Sequence, residues 1–95
     1  MALLAQEPED PFCLYSLAHE HLKSGDTGKA IAFFDRTIAA DPDYCYAYYH
    51  KARAQKEAGD VDAARRTLRT GLARAKACGD HKAESEIAGY LDTLS

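Results

Sequence analysis

Few residues of this chain could do chemistry, and most of those fall outside any catalytic or metal-binding pattern. His19-Glu20-His21 sets two imidazoles around a carboxylate, but residues two apart on a helix project to nearly opposite sides and cannot share one metal ion. Gly28-Lys29 has the look of a phosphate loop; that loop needs Gly at 23 and Ser or Thr at 30, where the chain has Lys23 and Ala30. No G-x-S-x-G element occurs, and no Cys-His pair stands in a nucleophile context. Cys13, Cys45 and Cys78 lack C-x-x-C spacing, and an odd number cannot all pair within one chain, so reduced thiols are expected. The reading is of no enzyme, no catalytic residue, no metal site and no cofactor, with a metal-binding or enzymatic helical bundle as the minor alternative.

What remains is aromatic and basic. Phe12, Tyr15 and His19 are spaced by three and four, and Tyr46, Tyr49, Arg53 and Lys56 by three, four and three, so each set forms one stripe on its helix. Tyrosine suits such a stripe because its hydroxyl wants water or a partner. Arg65, Arg66, Arg69 and Arg74 could touch phosphates, yet the chain carries a net charge of -3 and a solvated face is the simpler reading, which excludes nucleic acid as the expected partner. The charge is uneven. Residues 1–44 hold 3 basic and 8 acidic side chains, residues 45–78 hold 8 and 3, and residues 79–95 hold 1 and 4. A basic middle between acidic ends favours neighbouring elements packing in register, or head-to-tail association of molecules. Met1 to Gln6 has no basic residue and only a short apolar run, so neither a secretory signal nor a spanning helix is expected. No membrane partner and a cytoplasmic location follow as expectations. The sequence has no Asn and hence no N-glycosylation acceptor.

The elements that position these side chains come from an internal repeat. Sliding the sequence by 34 residues brings Tyr15 onto Tyr49, Ala18 onto Ala52, Gly25 onto Gly59, Asp26 onto Asp60, Ala30 onto Ala64 and Ala39 onto Ala73. These identities fall where two antiparallel helices would touch or turn, and a period of this length marks a stacked-repeat protein. Helix one is expected from Pro11 to about Ser24, capped by Asp10, with Leu14, Leu17, Ala18 and Leu22 as its core face. Helix two is expected over 28–40, helix three over 44–58 and helix four from Val61 to Ala77 or Cys78. Gly71 inside helix four costs helix propensity, and close helix approach is the expected compensation. Gly79-Asp80 should start a fifth helix whose apolar face is Ala83, Ile87, Tyr90, Leu91 and Leu94.

With these positions in place, the chain resembles the tetratricopeptide repeat family, a helix-turn-helix unit with preferred residue types at fixed places. Leu14, Leu17, Ala18, Gly25-Asp26, Ala30, Phe34, Ile38 and Asp41-Pro42 sit where that pattern wants them. Ala52, Gly59-Asp60, Ala64, Leu68 and Leu72 repeat it. The departures are His21, Thr37, Lys51, Gln55 and Lys76, where an aromatic, Ala, Leu, an aromatic and Pro are usual. The resemblance implies an all-α fold, a short α-solenoid: a lead-in over 1–10, repeat one over 11–44, repeat two over 45–78 and a capping helix over 79–95.

In the family, the first helix of each unit lines a concave surface that holds a peptide or a partner's helix. Carried over, the groove residues are Phe12, Tyr15, His19 and Lys23 in repeat one, and Tyr46, Tyr49, His50, Arg53 and Lys56 in repeat two. Tyr with His, Arg and Lys suits a partner bearing carboxylates beside an apolar anchor. One subset of the family clamps the C-terminal carboxylate of heat-shock chaperones; the matching positions here are Tyr15, His19, His50, Asp80 and Glu84, none of which fits. The implied function is a non-catalytic protein-interaction module. The alternative is a structural subunit that mainly self-associates as a homodimer, since a stack of two repeats and a cap is short.

Overall fold

The computed structural model describes residues 10–94, so the lead-in expected over 1–10 lies, apart from Asp10, outside the described residues. The described residues form five α-helices: α1 Pro11–Lys23, α2 Thr27–Ala40, α3 Cys45–Glu57, α4 Val61–Cys78 and α5 His81–Leu94. Each packs on its sequence neighbours, and α3 also meets α5. This serial packing produces a slab of 45 × 30 × 16 Å. None of the helices is long and apolar enough to cross a membrane.

The corners between α1 and α2, α3 and α4, and α4 and α5 are built alike. Gly25, Gly59 and Gly79 take φ of 86°, 93° and 76°, the left-handed region in which a Cβ is strained. The following Asp then acts twice. Its N–H closes back on the ending helix, from Asp26, Asp60 and Asp80 to the carbonyls of His21, Gln55 and Ala75, each at 2.9 Å. Its carboxylate caps the starting helix, accepting from Lys29 N at 3.1 Å, Ala63 N at 3.0 Å and Ala83 N at 3.1 Å. Helix α2 accordingly starts at Thr27, one residue before the expected Gly28. The remaining connection, Asp41-Pro42-Asp43-Tyr44, is a turn in which the Asp41 carboxylate accepts from Asp43 N at 3.0 Å.

Two apolar clusters fill the slab, and α3 belongs to both. Ala18, Ala30, Phe34, Ala47 and Ala54 form one, beneath Tyr15, Leu22, Phe33 and Ile38. The other joins Cys45, Ala52, Ala64, Leu68, Ala75, Ala83, Ile87 and Leu94, with Val61, Leu72, Tyr90 and Leu91 against it. The pairs Ala18 with Ala30 and Ala52 with Ala64 are fully buried, which is how small side chains let paired backbones close up. Gly71 carries this furthest: a Cβ built on it would lie 2.5 Å from Tyr48 Cβ and 3.5 Å from Ile87 Cδ1, so α4 passes closely between α3 and α5.

Two expectations are corrected. Leu17, expected in the core face of helix one, is 44 % exposed. Helix α2 covers α1 on the arc of Leu14 and Ala18, and Leu17, about 100° round from Ala18, falls outside that arc. Ala39 and Ala73 occupy equivalent places but are both exposed, so this identity does not mark a helix contact.

The departures from the family pattern are locally compensated. The His21 ring stacks on Phe33 at 5.3 Å and 11°. Thr37, fully buried, donates its hydroxyl to the Phe33 carbonyl at 2.9 Å. Lys51 pairs with Asp35 of α2 at 2.6 Å. Gln55 accepts from the Thr67 hydroxyl at 2.7 Å, which ties α3 to α4. Lys76, unlike Pro, lets α4 run on to Cys78.

Glycine substitutions separate close approach from helix propensity. Gly71→Ala is expected to destabilise the fold by about 1 kcal/mol or more, because Tyr48 Cβ yields only if α3 shifts and this outweighs the roughly 1 kcal/mol of helix propensity gained. Gly89→Ala, with open space around the added Cβ, is expected to stabilise it by roughly 0.5–1 kcal/mol. Urea denaturation of the two variants beside the parent checks both signs.

Candidate functional site

The stripes of α1 and α3 meet in a continuous run of rings. Tyr15 contacts Tyr44 at 4.8 Å and His19 at 4.6 Å. His19 meets His50 edge to face at 4.4 Å. His50 then reaches Tyr49 at 5.0 Å, and Tyr49 reaches Tyr90 of α5 at 5.4 Å. His50 is the junction of this wall, since it also touches Tyr15 at 5.9 Å and lies nearly parallel to Phe34 at 6.2 Å. Tyr15 and Tyr49 therefore contact the same imidazole.

The other expected groove residues surround this wall unequally. Phe12, one turn before Tyr15, is 65 % exposed. Lys23, Arg53 and Lys56 are exposed. Arg53 and Lys56 line an open depression of about 300 Å³ together with Glu57 and Tyr90. Tyr46 packs its ring against the cluster of α3, α4 and α5, 6.4 Å from Tyr49. Its hydroxyl oxygen is closed off without a partner in hydrogen-bond geometry among the described residues. Burial and the neighbouring Glu86 carboxylate push the Tyr46 pKa up.

Tyr44 and Glu57 adjoin these rings without having been singled out from the sequence, and Tyr90 adjoins them as well. Tyr90 was expected only in the core face of the capping helix. The repeat gives no sign of its role, because a 34-residue shift sets Ala83, not Tyr90, against Tyr49.

Burial makes the floor of this ring surface neutral. It pushes the His50 pKa down to about 4, aided by the adjacent His19 and Arg53. The same cause lowers His19, with Arg53 and Lys23 contributing. Tyr15 is pushed up to about 12, by burial first and then by Tyr44 and Tyr46. At neutral pH the floor therefore offers uncharged imidazoles and protonated phenols, while formal positive charge stays at the rim. Arg53 Nη1 approaches His50 Nδ1 at 3.5 Å; a guanidinium can only donate, so this contact favours the tautomer protonated on Nε2.

The features set aside in the sequence lie elsewhere. His19 joins the ring wall whereas His21 stacks on Phe33, so the two imidazoles diverge. Among the described residues no three His, Cys, Asp or Glu side chains gather so as to hold a metal. The arginines of α4 do not form one patch: Arg65 pairs with Asp62 and donates to the Leu94 carbonyl at 2.6 Å, and Arg74 pairs with Asp43 at 2.5 Å. Arg66 lines a second depression of about 300 Å³, with Asp35, Lys51, Thr67 and Thr70 on the far side of α3.

The tetratricopeptide repeat pattern matches residues 21–83, two thirds of the chain and all of the α2–α4 segment. The chain belongs to the tetratricopeptide repeat family. A TPR repeat-containing protein of Pseudomonas aeruginosa is 30 % identical over 92 residues, covering 97 % of this chain and 88 % of that protein. The solution structure of a tetratricopeptide repeat domain protein from Salinibacter ruber is 34 % identical with a TM-score of 0.86, covering 95 % of this chain and 91 % of that one. A protein of Bordetella parapertussis, also solved in solution, is 25 % identical with a TM-score of 0.83 and covers 98 % and 81 %. Tetratricopeptide repeat proteins are in general non-catalytic scaffolds for protein interaction.

The histidine pair makes stability depend on pH in a stated direction. His50 is held below its ordinary value of 6.5, so the unfolded chain binds a proton that the folded one refuses between that value and about 4. The stabilising contribution is complete above 6.5 and is lost as pH falls toward about 4. His50→Gln should flatten that part of the profile. Denaturation midpoints across the range, with the His50 ring titration followed by NMR, check the assignment.

Proposed function

We propose that the surface from Tyr15 to Tyr90 is a peptide-binding groove, and that the protein is a non-catalytic adaptor built of repeats over 11–44 and 45–78 with a closing helix over 79–95. The observation that carries this reading is the unbroken ring wall across α1, α3 and α5, with Lys23, Arg53 and Lys56 along its rim. A neutral aromatic floor receives an apolar anchor, and rim cations attract carboxylates and raise the rate of encounter. The preferred partner is an extended segment or helix with Asp or Glu flanking an aromatic or aliphatic side chain. A carboxylate clamp of the heat-shock chaperone type does not fit: Asp80 caps α5, and Glu84 at the neighbouring clamp position is acidic. A second reading, self-association, rests on the exposed Phe12 and Leu17 of α1.

An array of acidic-aromatic peptides with amide-for-carboxylate controls tests the groove. Tyr49→Ala is expected to weaken binding about tenfold or more, roughly 1.4 kcal/mol per decade, with the helical circular dichroism retained. Arg53→Glu should weaken it further and lower the association rate most at low salt. Equal affinity for the amide controls, or unchanged affinity in Tyr49→Ala, overturns this assignment. A peptide ending in Glu-Glu-Val-Asp should not bind tightly. Sedimentation across a concentration series decides the second reading.

A further inference from the structure

We propose that Cys45 and Cys78 are a site of reversible covalent modification, a dithiol that small-molecule disulfides of the glutathione class oxidise to an intramolecular bond across the α3–α4 hairpin. Cys45 is the first residue of α3 and Cys78 the last of α4, so antiparallel packing brings the two ends together. Their sulfur atoms stand 3.9 Å apart. A disulfide needs about 2.05 Å, so the sulfurs must close by about 2 Å for the bond to form.

Contacts that do not involve sulfur hold the two ends in place. Arg74 of α4 donates Nε to the Asp43 carboxylate at 3.1 Å and Nη2 to the same oxygen at 2.5 Å. The Tyr48 hydroxyl donates to the Pro42 carbonyl at 2.8 Å, and Gly71 admits Tyr48 against α4. The thiols make only weak bonds of their own, Cys45 to the Asp43 carbonyl at 3.4 Å and Cys78 to the Ala75 carbonyl at 3.8 Å. Closing the bond therefore sacrifices little. It joins residues 33 apart in sequence, a span long enough for a cross-link to constrain the unfolded chain appreciably.

The two sulfurs divide the chemistry by exposure. Cys78 is exposed and Cys45 is buried. Cys78 gives its proton to solvent and its thiolate attacks one sulfur of glutathione disulfide, the S–S bond of the oxidant breaks, and glutathione leaves and takes up a proton from water. Cys45 then gives its proton to solvent and attacks the Cys78 sulfur. The mixed disulfide breaks, and a second glutathione leaves and is protonated. The protein thiols lose two electrons and the oxidant is reduced to two thiols. The second step is the slow one, because burial, Cys78 and the carboxylates of Asp80 and Asp43 push the Cys45 thiol up to about 12. Tyr46 and Tyr48 on α3 and Arg74 on α4 are the other titratable or charged groups around the pair. Closure should therefore accelerate as pH rises.

The test uses the full reduced chain in glutathione redox buffers, acid-quenched, alkylated and mapped by mass spectrometry. The expected product is a Cys45–Cys78 peptide with Cys13 alkylated, together with a higher melting temperature that returns to its starting value on adding dithiothreitol. Cys78→Ser, a change at an exposed position, should yield neither, and Cys45→Ser should accumulate glutathione on Cys78. A lasting glutathione adduct on Cys78 of the parent chain, a bond that includes Cys13, or a cross-link that lowers the melting temperature each overturns the proposal.

Discussion

The arrangement depends on how closely helix backbones can approach. Ala18 against Ala30 and Ala52 against Ala64 remove side-chain bulk where paired helices cross, and Gly71 removes it altogether beneath Tyr48. Close packing of this kind holds the hairpins in one pose, because a shift of either helix would open a void or force a clash. With the pose held, the residues left over on α1 and α3 form one surface. Helix α3 serves both apolar clusters and the ring wall at once: it buries Ala47, Ala52, Ala54 and Tyr48, while Tyr49 and His50 are half-buried and Arg53 is exposed.

The ring wall gains its electrostatic character from the same packing. His50 is far enough inside to refuse a proton at neutral pH, while Arg53, next along that helix face, remains in water. The neutral imidazoles of His19 and His50 and the phenol of Tyr15 result chiefly from depth, with neighbouring charged and titratable groups adding to it. Tyr90 extends the ring wall onto α5, a helix whose Ala83, Ile87 and Leu94 also close the second apolar cluster.

Departures from the tetratricopeptide repeat pattern show how a polar residue is accommodated in an apolar place. Thr37 and Gln55 find acceptor and donor partners in the Phe33 carbonyl and the Thr67 hydroxyl, so each keeps the hydrogen bonding that burial would otherwise cost it. Lys51 places its charge beside Asp35 at the far face of α3 and so needs no apolar pocket. The Lys51–Asp35 and Gln55–Thr67 contacts link α3 to α2 and to α4, whereas the Thr37 bond stays within α2.

By itself the sequence determined the five helices, the Gly-Asp corners and the buried small pairs, because these rest on local physics: the 3.6-residue period, the conformational freedom of glycine and the capping power of Asp at Asp26, Asp60 and Asp80. It also determined which residues share a stripe, since Tyr15 with His19 and Tyr49 with Arg53 follow from helical spacing alone. Only the tertiary structure decided which helix covers which arc. That is why Leu17, apolar and in period, is left exposed outside the reach of α2, and why Tyr90 meets Tyr49. It also decided that His19 and His50, thirty-one residues apart, touch, and that the thiols of Cys45 and Cys78 stand side by side. Such pairings depend on the angle and distance between packed helices, and no local pattern in the chain encodes them.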